Sequence, residues 1–160
     1  MMRDVQFKDS KDICDIYNHY IRNTSISFEN EEISKDIILD RIKETSKNFF
    51  WIVYEEGEKV LGYAYISSFK SRAAYKNTVE CSIYIKHTEG GKGIGSKLFS
   101  ELIKRCKSMN FRTIIGVITL PNEKSIALHE KFGFEKVAHF KEVGFKFGRW
   151  VDVSSWQLLL

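Results

Sequence analysis

The stretch Thr78–Leu102, TVECSIYIKHTEGGKGIGSKLFSEL, predicts a strand, a glycine-rich turn and the start of a helix. Apolar and polar residues alternate from Thr78 to Lys86, which is typical of a strand with one buried face. The run Gly90–Gly95 follows, and after it comes an amphipathic helix. Because glycine lacks a side chain and the first amides of a helix have no partner within it, such a turn can bind phosphate or pyrophosphate. A tight connection without a ligand is the alternative interpretation.

Two common phosphate motifs do not describe this turn. The Walker pattern is absent, and the dinucleotide pattern fails because Leu98 stands where the third glycine belongs. The anion site is therefore predicted from its physical elements alone: small residues, free amides and the positive end of a helix dipole.

Composition sets the limits of the fold. At 160 residues we expect one domain, 1–160, with 43% apolar and 29% charged residues, as in soluble globular proteins. The sequence contains no apolar run of membrane-spanning length and no secretory signal, and its three cysteines fit reduced thiols, so we expect a cytoplasmic protein. The net charge of +4 is spread along the chain, which favours neither a nucleic acid nor a membrane as partner.

The hydrophobic pattern predicts the order β-α-α-β-β-β-α-β-α-β-β. The first strand is expected at Met2–Phe7, Ser10 and Ser34 as helix N-caps, and hairpins at 56–59 and 146–148. Gly133 is expected to end the helix that Asn122 caps. Antiparallel hairpins combined with strand–helix–strand crossovers predict an α/β (α+β) domain with a mixed sheet.

Three motifs recur in order along the chain: Gly90-x-x-Gly93-x-Gly95, Asn122-x-x-Ser125 and Gly133-Phe134. Six further segments accompany them: Ile16–Tyr20, Arg72-x-x-Tyr75-x-x-Thr78-Val79-Glu80, Ser82-x-Tyr84, Leu128–Glu130, Gly144-Phe145-Lys146-x-Gly148-x-Trp150-x-Asp152-Val153 and Trp156-Gln157. The three motifs resemble those of the GNAT superfamily of acetyl-CoA-dependent N-acetyltransferases, and the six segments resemble the phosphinothricin N-acetyltransferase group within it. One departure is the pair Gly90 and Gly91, where the superfamily usually has Gln or Arg followed by Arg.

The resemblance implies a mostly antiparallel seven-stranded sheet with helices on both faces and two splayed central strands. Acetyl-CoA is then expected in the gap, with no metal. Its pyrophosphate would bind the turn, and its pantetheine arm would pair with the edge of the preceding strand. Asn122 and Ser125, at the start of the later helix, would bond the same arm; plain helix capping is the alternative role for these two residues. The expected cofactor-binding residues are Ile83, Tyr84, Ile85, Gly91, Lys92, Gly93, Ile94, Gly95, Ser96, Asn122 and Ser125.

Acetyl transfer to an amine needs a base, an oxyanion site and a proton for the leaving thiolate. Glu80 is the predicted general base, directly or through a water, because burial in a cleft raises a carboxyl pKa; an ion pair with Arg72 or a lysine is the alternative. Backbone amides near Ile83 and Tyr84 are expected to stabilise the oxyanion. His129, on the helix after Asn122, lies where many relatives carry a tyrosine that protonates the sulfur, and a purely structural histidine is the alternative.

The resemblance further implies a small amino-acid-like amine as acceptor, of the phosphinothricin, methionine sulfoximine or methionine sulfone type. Its carboxylate favours an arginine fork, for which Arg72 is the candidate, with Tyr75 and Phe28 as pocket walls. A solvated Arg72 and a core-stapling Phe28 are the alternatives. The family tends to be dimeric, and the C-terminal aromatic residues are either core or a subunit contact, so a homodimer is expected.

Two other functions remain compatible with the same sequence. One is an acetyltransferase that acts on a protein N-terminus or another amine, which would share the glycine turn, Asn122 and Gly133-Phe134. The other is an acyl-CoA-binding sensor without catalysis, which the unusual Gly90 and Gly91 leave open.

Overall fold

The computed structural model describes residues 1–160 and contains seven strands and four α-helices. Their bounds are β1 Met2–Asp4, α1 Ser10–Asn23, α2 Lys35–Thr45, β2 Trp51–Glu56, β3 Lys59–Ser68, β4 Thr78–Ile85, α3 Ile94–Ser108, β5 Thr113–Thr119, α4 Glu123–Lys131, β6 Glu135–Lys146 and β7 Arg149–Leu159. The element order is the predicted one.

The seven strands form one sheet in the order β1-β2-β3-β4-β5-β7-β6. Every neighbouring pair is antiparallel except β4 and β5, which are parallel because the crossover through α3 returns the chain in the same direction. The mixed, mostly antiparallel sheet is thus confirmed.

Each face of the sheet carries its own hydrophobic core. On one face α3 packs Leu98, Phe99 and Leu102 against β3, β4 and β5, all of them fully buried. On the other face α1 and α2 cover β2 and β3 through Ile13, Ile42 and their neighbours. Alternate residues of β4 therefore belong to different cores, which is the expected consequence of strand geometry. No helix is long and apolar enough to cross a bilayer.

The N-terminal segment differs from the sequence prediction in two details. Strand β1 ends at Asp4 rather than Phe7, and a 3-10 turn at Phe7–Asp9 leads into α1. Asp9, not Ser10, is the N-cap of α1. The buried Asp9 carboxylate accepts hydrogen bonds from Arg3 of β1 and from the Gln6 amide, and it makes no side-chain cap to α1.

Candidate active site

The two central strands separate halfway along their length. β4 and β5 pair only from Thr78–Cys81 against Thr113–Gly116. Beyond Cys81, β4 remains paired with β3 up to Ile85, whereas β5 remains paired with β7 up to Thr119. One edge of residues 82–85 therefore has no strand partner. The Ile85 carbonyl accepts a hydrogen bond from Tyr20, and the other backbone groups of this edge are available to an extended ligand. The expected splay of the central strands is present in the structure.

The glycine turn lies at the end of the same strand, between β4 and α3. Gly91 and Gly93 have φ values of +80° and +76°, and Gly93 is the N-cap of α3 without a side-chain cap. A Cβ placed on Gly90, Gly91 or Gly93 would meet nothing within 4 Å. Open space thus surrounds the turn, and the first amides of α3 face it without an intrahelical partner. This geometry fits a bound phosphate group.

Gly95 has a different role from the other glycines of the turn. A Cβ there would lie 3.0 Å from Ile85 Cδ1 and 3.4 Å from Leu128 Cδ2. Glycine at this position allows the first turn of α3 to pack closely on β4 and α4, which brings the helix N-terminus to the gap between the strands.

Two cationic side chains contact the turn. Lys92 Nζ pairs with Glu89 Oε2 at 2.6 Å, so the only basic side chain within the turn is already bonded to an acid. Lys131, at the end of α4, donates to Ser96 Oγ at 2.9 Å. Because Lys131 follows Ser96 by 35 residues, no local pattern indicates its position beside the turn.

Glu80 lies on β4 immediately before the strands separate, opposite Ser67 on β3 and Ile115 on β5. Its side chain is half-buried, and burial raises the pKa of its carboxyl group. Burial is the sole cause of that shift, and no ion pair or hydrogen bond engages the carboxylate. The structure therefore contains no ion pair with Arg72 or a lysine, and the carboxylate is free to accept a proton.

His129 is buried on α4, between the rings of Phe99 and Phe134. Its Nδ1 lies 2.7 Å from the Ser125 carbonyl, and since a carbonyl only accepts, Nδ1 carries the proton. Nε2 faces Gly116, the last residue of β5 that pairs with β4; a Cβ on Gly116 would lie 2.4 Å from it. Burial lowers the pKa of His129, so its ring is neutral at physiological pH and Nε2 carries no proton to donate.

Asn122 and Ser125 lie at the N-terminus of α4. Asn122 Oδ1 accepts a hydrogen bond from the Ser125 amide at 3.2 Å, which is the N-capping geometry. The side-chain amide of Asn122 has no partner within the chain and can still donate to a ligand. Both residues are partly exposed, so capping and ligand binding are compatible here.

The three residues predicted to bind the acceptor do not line a common cavity. Arg72 and Tyr75 border a cavity of about 310 Å³ at the start of β4, together with Lys70, Lys76 and Thr78. Its lining contains no acidic residue. Phe28 lies elsewhere, with its ring against Gly144 of β6.

The separated strand pair, the open glycine turn and the unpaired carboxylate form the arrangement that the resemblance to acetyl-CoA-dependent acetyltransferases implies. The chain belongs to the GNAT acetyltransferase family, because residues 2–155 match the family model described as an acetyltransferase (GNAT) domain.

Individual relatives agree with this assignment. The chain is 35% identical to a phosphinothricin N-acetyltransferase of Streptomyces viridochromogenes (93% of this chain, 81% of the relative). It is 32% identical to an L-methionine sulfoximine/L-methionine sulfone acetyltransferase of Salmonella typhimurium (98% and 94%).

Solved structures agree as well. A phosphinothricin acetyltransferase from Sinorhizobium meliloti in complex with acetyl-CoA superposes with a TM-score of 0.96 at 38% identity, covering 100% of this chain and 88% of that one. A ribosomal-protein-alanine N-acetyltransferase from Brucella melitensis superposes with a TM-score of 0.97 at 30% identity, covering 100% and 99%.

Proposed function

We propose that this protein transfers the acetyl group of acetyl-CoA to the primary amine of a small amino-acid-like substrate, and that residues 1–160 act as one N-acetyltransferase domain. The substrate class is that of phosphinothricin, methionine sulfoximine or methionine sulfone, as the names of the relatives suggest. The single observation that carries the proposal is the half-buried Glu80 carboxylate, which has no cation partner and lies where β4 and β5 separate.

In this mechanism Glu80 accepts the proton of the attacking amine, directly or through a water. The amine nitrogen forms the new C–N bond, the C–S bond of the thioester breaks, and the CoA thiolate takes its proton from a water, since Nε2 of His129 carries none. Burial raises the pKa of the Glu80 carboxyl group, which strengthens the carboxylate as a base. The Ile83 N–H, which faces the open edge of β4, is suited to stabilise the negative charge on the carbonyl oxygen, whereas alternation directs the Tyr84 N–H to β3. Direct attack requires no covalent enzyme intermediate, and Cys81 is buried with a strongly raised pKa, which makes it a poor nucleophile.

Acetyl-CoA supplies the activated acetyl group. The amides of Lys92–Ser96 are suited to bind its pyrophosphate, since the turn around Gly91 and Gly93 is open and α3 presents its positive end there. Residues 83–85 would pair with the pantetheine arm, and Asn122 Nδ2 would donate to the same arm. Tyr20 fixes the end of this edge by donating to the Ile85 carbonyl at 2.5 Å.

The acceptor carboxylate is assigned to the cavity that contains Arg72 and Tyr75. Three cationic side chains line it, those of Lys70, Arg72 and Lys76. A guanidinium group binds a carboxylate in bidentate fashion, and the absence of acidic residues from the lining favours an anionic substrate group.

A thiol-release assay with acetyl-CoA tests this function. We expect turnover with methionine sulfone and phosphinothricin, and little with a peptide that begins with alanine. Turnover of the peptide alone would identify the protein as an N-terminal acetyltransferase, the class named for the Brucella structure. Acetyl-CoA binding without turnover of any amine would instead indicate a sensor.

We further propose that the protein forms a homodimer through the β6–β7 hairpin. β6 is the edge strand of the sheet, and several large apolar side chains on the hairpin are more than half exposed. These side chains are Val137, Val143, Phe145, Phe147 and Trp150. An exposed apolar surface on an unpaired edge strand favours pairing with a second copy of the same strand.

Replacing Trp150 with glutamate is expected to separate the dimer into monomers. Trp150 is 63% exposed and packs on Phe145 with a centroid distance of 4.9 Å, so the monomer loses little packing, whereas a dimer would bury a charge. Sedimentation velocity would show a dimer for the wild type and a monomer for Trp150→Glu. A monomeric wild type at micromolar concentration would contradict the proposal.

A further inference from the structure

Lys146 is a buried cation that the chemistry above does not use. It is the last residue of β6 and only 2% exposed. Its Nζ donates to the Ile21 carbonyl at 2.8 Å and to the Ser27 carbonyl at 2.6 Å. No carboxylate lies within ion-pair distance, and burial lowers the pKa of the amine despite the opposing influence of Glu29. The Phe147 ring also lies 5.0 Å from Nζ. A buried ammonium group without a carboxylate partner is costly, so the two carbonyl groups that accept its hydrogen bonds indicate what it stabilises.

Both partners belong to the segment that leads to Phe28. Ile21 lies in the last turn of α1, where carbonyl groups have no intrahelical partner and where the helix dipole favours a cation. Ser27 immediately precedes Phe28. Lys146 therefore joins the end of α1 to the residue before Phe28 and connects both to β6.

The other side of Phe28 is fixed as well. Ser27 Oγ lies 3.0 Å from the Tyr17 hydroxyl and accepts a hydrogen bond from the Glu29 amide. The Glu29 carboxylate receives two hydrogen bonds from Arg41, at 3.1 and 2.6 Å. The residues on either side of Phe28 are thus bonded to two helices and one strand.

The Phe28 ring itself lies on Gly144, two residues before Lys146 on the same strand. A Cβ on Gly144 would be 2.3 Å from Phe28 Cζ, so the ring is in contact with the bare backbone. Although so closely packed, Phe28 remains 41% exposed. One end of β6 thus holds both the ring and the loop that carries it.

We propose that Lys146 is a positioning residue for the acyl acceptor: its two hydrogen bonds hold Phe28 on Gly144, and Phe28 in that position forms a wall of the acceptor site. This rests on the proposed function, with Phe28 contacting a part of the acceptor other than the carboxylate assigned to the cavity of Arg72.

The Phe28 segment lies on the face of the sheet that carries Glu80, because Ser27 bonds Tyr17 and the Tyr17 ring packs on Tyr84, four residues after Glu80 on β4. The acetyl-CoA site is formed by other elements, so the effect is confined to the acceptor.

Lys146→Met tests this, because it keeps the length of the side chain and removes its donors. We expect the KM for methionine sulfone to rise about ten-fold, since small displacements of positioning groups have effects of this size or larger. The KM for acetyl-CoA stays unchanged. Lys107→Met, at an exposed lysine on α3, serves as control and changes neither constant.

Phe28→Ala completes a double-mutant cycle. If Lys146 acts through Phe28, Lys146→Met raises the KM for the amine in the wild type but adds nothing in the Phe28→Ala background. An equal rise in both backgrounds would overturn the proposal. So would a lower Tm of Lys146→Met with an unchanged KM for the amine, because Lys146 would then only cap α1.

Gly144→Ala moves the same ring without removing Lys146 and is informative even if Lys146→Met does not fold. Its Cβ collides with Phe28, so the KM for the amine rises while acetyl-CoA binding persists; an unchanged KM contradicts the proposal.

A wild-type enzyme that acetylates no amino-acid analogue would refute the substrate proposal alone. In that case, amide hydrogen exchange of residues 24–30 still tests the loop: it accelerates in Lys146→Met, and equal exchange in both proteins overturns the inference.

Discussion

Glu80→Gln is expected to lower kcat by about 10²–10⁴-fold while the Kd for acetyl-CoA stays unchanged, because a general base contributes about this factor and the cofactor site lies on other residues. Glutamine keeps the size of the side chain but cannot accept the amine proton. Steady-state kinetics with methionine sulfone and titration with acetyl-CoA provide the two measurements. A loss of less than three-fold in kcat would show that the amine is deprotonated without Glu80.

The folding stability of Glu80→Gln distinguishes a catalytic role of Glu80 from a structural one. Burial raises the pKa of Glu80 in the folded protein, so its contribution to stability is present below the unfolded pKa and is lost as the pH rises through the folded pKa. At a pH above the folded pKa, the ionised group therefore destabilises the fold. The variant should have an equal or higher Tm at pH 7, and a large decrease would instead indicate an undetected structural role.

The pH dependence of kcat/KM distinguishes Glu80 from His129. A base with a raised pKa makes the rate increase as the pH rises through a value above 4.5. If His129 were the acid, the rate would fall again as the pH rises through a value below 6.5, because burial lowers the pKa of His129. We expect no such decrease, since the ring is neutral and buried. An acidic optimum that disappears in His129→Phe would establish His129 as the acid.

Gly93→Ala is expected to weaken acetyl-CoA binding by about 10–100-fold. Hydrogen bonds from amides to a charged phosphate contribute about 1.5–3 kcal/mol each, and about 1.4 kcal/mol corresponds to a factor of ten in affinity. The added Cβ meets no protein atom, so it occupies space that a phosphate would need, and the φ of +76° strains any side chain. Calorimetric titration with acetyl-CoA measures the change in Kd.

Variants at two other glycines separate the effect of backbone strain from the effect of blocking the phosphate site. Gly57, in the β2–β3 hairpin, also has a positive φ of +55° and open space around it, so Gly57→Ala reproduces the backbone strain far from the turn. Gly90 lies in the turn with a φ of −62°, where alanine is unstrained. Gly57→Ala should lower Tm without changing Kd, and Gly90→Ala should change neither quantity substantially. Equal Kd values for all three variants would contradict phosphate binding by the turn.

The sequence predicted the elements of the fold well where apolar residues recur with the period of a strand or a helix. Strand β4, the glycine turn and α3 follow from alternation, glycine clustering and a four-residue apolar repeat, each of which is local. The start of α1 could not be predicted in this way. Ser10 is a good N-cap by residue type, but Asp9 takes that place without a side-chain cap, while its carboxylate accepts hydrogen bonds from Arg3 and the Gln6 amide.

In the candidate site, too, some features follow from local sequence and others from contacts between distant residues. Glu80 could be singled out because a charged residue interrupts an apolar strand next to the turn. Arg72 and Tyr75 could be named, but the separate cavity that they line, away from Phe28, follows from loops without periodicity. The contact of Lys131 with Ser96 and those of Lys146 with Ile21 and Ser27 join residues distant in sequence.

The sequence by itself determined the order of elements and the position of the open glycine turn, because backbone propensity and side-chain alternation act over a few residues. The tertiary structure alone decided that Glu80 is unpaired, that His129 is neutral and that Lys146 is buried. Each of these properties is set by which groups surround a charge, and those groups come from elements that only folding brings together.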